Sequence, residues 1–215
     1  MECSSIQLND LPNEILVLIF RNLNNINLLY SIIGVNKRFN EIAHDSMFTS
    51  CLTLFGYLTN GYIYPLPKIM LDRFCLQILP EIHHKINWLD LEPLTMKHIL
   101  LSANYPNLTG LGLFNIEKQT ALDLLIIDYP HLKYIDFKDT HDDYVEQFLL
   151  DTKTILPYDV DIYVDYKTLK RVTHNFRRNA TQINCSKATY QCFDRIVRFP
   201  KYFKDYFRDI ELNMF

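Results

Sequence analysis

The chain of 215 residues lacks the short motifs that mark many enzyme active sites. It contains no glycine-rich phosphate loop, Gly-x-Ser-x-Gly, His-Glu-x-x-His or Cys-x-x-Cys sequence. The adjacent residues His83 and His84 have no nearby cysteine or second histidine pair that would complete a zinc site. We therefore expect a protein with no catalytic residues, no metal site and no cofactor.

Signals for secretion or membrane insertion are missing as well. No apolar run approaches the roughly eighteen residues of a membrane span, and the first five residues lack the basic and apolar regions of a signal peptide. The five cysteines are odd in number and irregularly spaced, which indicates reduced thiols. We expect a cytoplasmic or nuclear location and no membrane partner.

Glycine is scarce, with five residues, while 48% of the chain is hydrophobic and 22% is charged. This composition is typical of a folded chain that buries a substantial core. The length fits one domain of ordinary size, or a small module followed by a larger one.

The most informative segment is N-terminal and unusually apolar. Pro12 and Glu14 suit a first helical turn, because proline needs no N–H partner there and a carboxylate favours the positive helix end. The apolar residues at 15–20 and Leu23 then go nearly all the way round the helix. Either they are the internal core of a plain helical hairpin, or the face left over binds a partner.

Residues 8–48 contain an ordered set of apolar, charged and aromatic positions: Leu11, Pro12, Glu14, Ile15, Leu16, Ile19, Phe20, Leu23, Leu28, Leu29, Val35, Lys37, Arg38, Phe39, Ala43, Met47 and Phe48. In this order and spacing they resemble the F-box, a module that docks substrate receptors onto a Skp-family adaptor in cullin ubiquitin ligases. Two departures keep the chemistry of the pattern. Asn24 and Asn25 replace a common turn proline, and Phe39 and Phe48 stand where tryptophan is usual.

The resemblance implies a three-helix F-box at residues 5–48 and a non-catalytic subunit that tethers a target near a conjugating enzyme. The adaptor-binding residues that it implies are Leu11, Pro12, Glu14, Ile15, Leu16, Ile19, Phe20, Leu23, Leu28, Leu29, Val35 and Phe39. We expect Pro12, Ile15, Leu16, Ile19 and Phe20 in particular to be buried against the adaptor.

A helical bridge is predicted at residues 49–84. Turn signals come first, and a helix over 68–79 follows, with one apolar face and an end at Pro80. We expect this bridge to pack between the two modules.

From residue 86 the chain repeats a short template. Its copies are Ile86-x-x-Leu89-Asp-Leu91, Leu108-x-x-Leu111-Gly-Leu113 and Leu132-x-x-Ile135-Asp-Phe137. Helix-period segments lie between them, at 96–103 and 122–129, so residues 85–215 resemble a degenerate leucine-rich-repeat domain. The predicted fold is therefore mixed α/β, with the F-box followed by an irregular α/β solenoid containing a parallel sheet. A small open parallel sheet with helices would show the same alternation.

The template blurs after residue 138, although strands and helices continue to alternate. We predict strands at 160–164, 181–185 and 210–214. Helices are predicted around Val145, around Leu169, and over Phe193, Ile196 and Val197.

Target binding is predicted on the positions between the inward leucines. Trp88 and Tyr134 are residue types enriched at binding hot spots, and Gly110 and Gly112 between them would leave room for a partner. Arg171, Arg177 and Arg178 lie in a basic stretch that could hold an acidic segment of the target, or single-stranded nucleic acid. The plainer alternative is a solvated helix face balanced by the acidic residues at 136–165.

These observations together predict a substrate-recognition subunit of a Skp–cullin–F-box ubiquitin ligase. Its partners would be the adaptor, a cullin through the adaptor, and a target protein. The alternatives are an F-box scaffold with no role in ubiquitination, or a repeat protein that binds nucleic acid through its basic segment.

Overall fold

The structure is a computed structural model that describes residues 7–59, 62–114, 130–137, 140–192 and 199–212. The α-helices in these ranges are α1 (Asn13–Phe20), α2 (Asn25–Ile32), α3 (Lys37–Ala43), α4 (Ser46–Thr49), α5 (Lys68–Arg73), α6 (Leu79–Ile82), α7 (Pro93–Ser102), α8 (Asp142–Leu149), α9 (Tyr166–Val172) and α10 (Asn179–Cys185). The strands are β1 (Cys51–Thr53), β2 (Phe55–Tyr57), β3 (Ile63–Pro65), β4 (Trp88–Leu91), β5 (Gly110–Leu113), β6 (Tyr134–Asp136), β7 (Val160–Tyr163), β8 (Ala188–Cys192) and β9 (Asp209–Leu212).

Side-chain caps begin the N-terminal helices after α1. Asn24 accepts a hydrogen bond from the backbone N–H of Ile26 at the start of α2, and Asn36 accepts one from Phe39 in α3. Asp45 caps α4 in the same way. Each cap satisfies a backbone donor that has no partner within the helix. Asn24, which departs from the common proline, therefore still sets the turn before α2.

The predicted bridge helix continues past Pro80 and ends at Ile82, so the predicted end was wrong. A π-helical segment, Phe74–Ile78, joins α5 to α6. Proline lacks an N–H and its ring crowds the carbonyl four residues earlier, and the wider π turn relieves both conflicts. The apolar face was correctly predicted, since Leu71, Phe74 and Ile78 are buried. The segment contacts both α2 and α7, as expected of a bridge.

Seven strands form one sheet in the order β1-β4-β5-β6-β7-β8-β9, and every neighbouring pair is parallel. Each of these strands therefore lies beside the previous one along the chain, with only the hairpin β2-β3 set apart. The sheet begins earlier than the sequence predicts, because β1 lies within the segment assigned to the bridge. β1 pairs with β4 and so joins the N-terminal helices to the sheet.

The three template strands pair in the register that their sequence predicts. Leu89 is aligned with Leu111, and Leu111 with Ile135. These side chains, with Leu91, Leu113 and Phe137, are buried in one hydrophobic core that extends from Leu16 to Phe207. The repeated apolar positions thus form continuous rows beneath the sheet.

One predicted strand is a helix, and one observed strand was missed. Residues 181–185, predicted as a strand, form most of α10, while β8 was not predicted. In α10 the buried positions are Thr181, Asn184 and Cys185, which follow helical spacing, whereas Ile183 is exposed. The helices predicted from 122–129 and from 193–197 lie outside the described residues.

Candidate docking surfaces

The helix α1 presents an apolar face to solvent. Ile15, Leu18 and Ile19 follow one another at the spacing i, i+3, i+4, and their exposed fractions are 41%, 56% and 39%. Leu16 and Phe20 lie on a different face of the same helix and are almost completely buried. The helix is therefore apolar on two faces, of which only one is covered by this chain.

The burial pattern corrects part of the predicted adaptor-binding set. Five of its members pack inside the chain and cannot contact a partner directly: Leu16, Phe20, Leu28, Leu29 and Phe39. Phe20 and Phe39 meet edge to face, with 5.8 Å between ring centroids. The members left accessible are Pro12, Glu14, Ile15, Ile19, Leu23 and Val35, with Leu11 half-buried. Leu18 was missed, although its spacing from Ile15 pointed to it.

Arg38 fixes the start of α1 relative to α3. Its guanidinium donates to the Asn13 side chain at 2.6 Å and to the carbonyls of Asn9 at 2.8 Å and Leu11 at 2.5 Å. Asn36 also donates to the side chain of Asn9. Sequence reasoning placed Arg38 in the family pattern but gave it no role.

These bonds also bring the turn that holds Val35 close to the 3₁₀ turn Leu8–Asp10. Leu8 and Val35, both exposed, therefore extend the apolar face of α1. We call this set of exposed side chains the α1 face: Leu8, Pro12, Ile15, Leu18, Ile19 and Val35.

The second surface lies on the side of the sheet opposite the buried leucine rows. Successive strand residues point to opposite faces, so the positions that alternate with the core residues share the other face. We call this set the strand face: Trp88, Asp90, Gly110, Gly112, Tyr134, Asp136, Asp161, Tyr163, Thr189, Gln191, Asp209 and Glu211. The predicted contact residues Trp88 and Tyr134 both belong to it.

Side chains of this chain fill the space beside Gly110 and Gly112, so the room that was predicted there for a partner is absent. A Cβ atom added at Gly110 would lie 1.9 Å from the ring of Trp88, and one at Gly112 would lie 2.3 Å from an oxygen of Asp90. The Trp88 ring extends across Gly110 toward Tyr134, and the two ring centroids are 6.4 Å apart. The Trp88 indole donates to Asp90 at 2.6 Å. Glycine therefore allows an aromatic pair to form between strands that are not neighbours.

The strand face is acidic. Its twelve positions include Asp90, Asp136, Asp161, Asp209 and Glu211, and they include no lysine or arginine. Burial raises the pKa of the Tyr163 phenol above its ordinary value, and the charges of Asp161, Glu211 and Asp136 raise it further because they oppose a phenolate. The negative charges of several carboxylates are therefore felt at the Tyr163 hydroxyl.

Three arginines of the basic stretch form contacts within the chain. Arg171 donates two hydrogen bonds to Asp142 of α8, at 2.5 and 2.7 Å, and Arg178 donates to Glu146 at 2.7 Å. Arg177 stacks over the ring of Tyr202. The hydrogen bond from Arg171 lowers the pKa of Asp142 below its ordinary value. These contacts match the plainer alternative, in which acidic residues balance the basic helix.

The described residues contain no group of three or more histidine, cysteine or acidic side chains that could hold a metal ion. Within the same ranges, no helix has both the length and the apolar character needed to cross a membrane. Burial raises the pKa of the Cys75 and Cys185 thiols, which disfavours the reactive thiolate.

In a comparison with known families, residues 8–53 match the F-box-like family, so an F-box-like domain covers α1 to α4 and β1. Domains of this kind typically bind Skp-family adaptors of cullin ubiquitin ligases. Comparison with curated proteins gives no match for the chain.

Proposed function

We propose that this chain is a substrate-recognition subunit of a Skp–cullin–F-box ubiquitin ligase and has no catalytic role of its own. The observation that carries the proposal is the α1 face within the F-box-like domain. Adjacent exposed apolar side chains on a helix, beside a fully packed core, mark an interaction surface. The Skp-family adaptor is the partner that fits this surface, and a cullin would join through the adaptor.

We further propose that the sheet and its helices form a degenerate leucine-rich-repeat solenoid. The sequential parallel strand order and the aligned rows of Leu89, Leu111 and Ile135 support it. Strand entry also repeats. The carbonyl of Ser50 accepts hydrogen bonds from two consecutive N–H groups at the start of β4, and Asn87 and Thr109 do the same for β5 and β6. Recurrent backbone geometry of this kind is typical of stacked repeats.

Adaptor docking is tested by the double variant Ile15→Ala, Ile19→Ala. Truncating two apolar side chains in an interface costs about 1–2 kcal/mol each, so adaptor affinity should fall on the order of a hundredfold. The matched control is Ile155→Ala, Ile183→Ala, which shortens two exposed isoleucines far along the sequence from the F-box-like domain. Equal adaptor affinity in both variants would refute docking through the α1 face.

Ligase membership needs a separate measurement, because an F-box scaffold would also bind the adaptor. We expect the wild-type chain to co-purify with the cullin, and its target to accumulate when the chain is depleted. The Ile15→Ala, Ile19→Ala variant should fail to restore target turnover. Adaptor binding without cullin association would instead support the scaffold alternative.

A further inference from the structure

Four carboxylates of the strand face, those of Asp90, Asp161, Asp209 and Glu211, carry the charge that a partner would meet. Within the described residues, no ion pair joins Asp90, Asp161, Asp209 or Glu211 to a lysine or arginine. Arg208, which directly precedes β9, is paired with Asp159, off the strand face. The contacts that the acids do make are to neutral donors, such as Trp88 and Thr53 to Asp90 and Gln191 to Glu211. Their negative charge therefore remains available to a partner.

The aromatic residues of the face suit the same kind of partner. Trp88 and Tyr134 form a pair above Gly110, and Asp161 lies beside Tyr134 in the strand register. An aromatic ring attracts a cation to its face, and a nearby carboxylate adds to that attraction. An arginine or lysine side chain could therefore contact the ring of Tyr134 and the carboxylate of Asp161 together.

Thr189 provides an independent sign of a missing partner. The residues on either side of it, Ala188 and Tyr190, point into the core, so Thr189 points to the strand face between Asp161 and Asp209. Its exposed fraction is only 7%, yet its hydroxyl forms no hydrogen bond with any group in the described ranges. A buried hydroxyl without a partner is costly, and a bound donor would satisfy it.

We infer that the strand face binds an extended segment of the target protein that is rich in lysine and arginine. This inference rests on the proposed function and names the class of target that the receptor takes. Six strands at about 4.8 Å spacing span roughly 24 Å, which a segment of about seven extended residues covers. The segment places basic side chains between Asp90 and Glu211 and backbone N–H groups near Thr189.

The sign of the charge on the strand face disfavours the binding of an acidic target or a nucleic acid to this face. On this face, an acidic or phosphorylated segment, or a nucleic acid, would place negative charge against the carboxylates of Asp90, Asp161, Asp209 and Glu211 and be repelled. Arg171 and Arg178, which would have attracted such a target, are already paired with α8. The inference therefore reverses the charge that the basic stretch of the sequence indicates for the target.

The test uses the full chain bound to its adaptor and two labelled peptides of about ten residues, one alternating lysine with serine and one alternating glutamate with serine. The face variant is Asp161→Asn, Asp209→Asn. The control variant is Asp165→Asn, Asp205→Asn, which makes the same change in net charge at two exposed acids that lie off the strand face. Trp88 is the only tryptophan of the chain and reports local binding through its emission.

We expect the lysine peptide to bind and to change Trp88 emission, and the glutamate peptide not to bind. The face variant should weaken lysine-peptide binding about tenfold, while the control variant should change it less than twofold. An equal loss in both variants would mean attraction by net charge alone and would overturn the inference, as would no binding of the lysine peptide. Both variants should keep the adaptor, so a failure here is distinct from a failure of the F-box proposal.

Discussion

The two surfaces of this protein differ in the physical origin of binding. The α1 face consists of apolar side chains, and removing them from water would supply most of its binding free energy. The strand face carries five carboxylates and an aromatic pair, so charge attraction and stacking would dominate there. Under the proposed function, the adaptor would occupy the α1 face and the target would occupy the strand face.

Both surfaces nevertheless rest on one hydrophobic core. Leu16 and Phe20 beneath the α1 face and Leu111 and Ile135 beneath the strand face belong to the same cluster of buried residues. Surface substitutions can change binding at one surface alone. A change in the core should affect the stability of both surfaces. The four predictions that follow use this contrast, from the largest expected effect to the smallest.

A cavity in the shared core should destabilise the α1 face and the strand face together. Leu111→Ala creates a cavity beneath the strand face, and we expect the free energy of unfolding to fall by about 2–5 kcal/mol. Denaturant unfolding followed by both Trp88 emission and helical circular dichroism should show one transition. The control, Leu94→Ala, shortens a leucine that is 65% exposed and should change stability by less than about 0.5 kcal/mol. Two separate transitions would show that the surfaces are independently stable.

Loss of Arg38 should affect the α1 face alone. Arg38→Ala removes charged hydrogen bonds to Asn9, Leu11 and Asn13, and bonds of this type contribute about 1.5–3 kcal/mol each when formed by a charged group. We expect weaker adaptor binding and unchanged binding of the lysine peptide. Lys37→Ala serves as the control, since the Lys37 side chain is almost fully exposed. Equal adaptor binding by the two variants would mean that Arg38 does not position α1.

Salt should separate the two surfaces without any mutation. Exposed charges are strongly screened at high ionic strength, whereas apolar burial is not weakened by it. Raising the salt concentration about tenfold should weaken lysine-peptide binding on the order of tenfold and leave adaptor affinity within about twofold. Titration calorimetry at two salt concentrations measures both. A steep loss of adaptor binding would show that charge also dominates at the α1 face.

The smallest effect concerns the paired charges on the helices behind the sheet. Arg171 lowers the pKa of Asp142, so the stabilisation by this pair is present above the ordinary carboxyl pKa of about 4 and is lost as pH falls through the lowered value. For such an exposed pair we expect Asp142→Asn to cost about 0.2–1 kcal/mol at pH 7. The difference from wild type should disappear in acid. A difference that persists below the lowered pKa would indicate a role other than the ion pair.

Local patterns in the sequence were sufficient to predict many of the helices and strands. The family pattern predicted N-terminal helices, and the template Leu-x-x-Leu-x-Leu predicted β4, β5 and β6 with their buried positions. Prediction failed at residues 181–185, where a strand was expected and Asn184 lies in the helix α10. In the structure its amide is buried and donates to the carbonyl of Thr154 at 2.8 Å. A distant partner thus allows a polar residue to occupy an interior helical position.

Prediction from the sequence also failed to separate the buried side chains of α1 from the exposed ones. Periodicity identified a helix too apolar to be covered by a small domain, but it could not assign Leu16 and Phe20 to the core and Ile15, Leu18 and Ile19 to solvent. That assignment depends on where α3 packs, and therefore on contacts such as the one between Phe20 and Phe39.

The sequence by itself determined the F-box-like segment, the apolar excess of α1 and the repeating apolar positions of the strands, because each depends on residues close together in the chain. Only the tertiary structure decided the charge of each surface. Strand pairing brings Asp90, Asp136, Asp161 and Glu211 onto one face, although they are scattered along the sequence. Helix packing brings Asp142 and Glu146 to arginines 29 and 32 residues later, which pairs two charges of the stretch that appears most basic in the sequence.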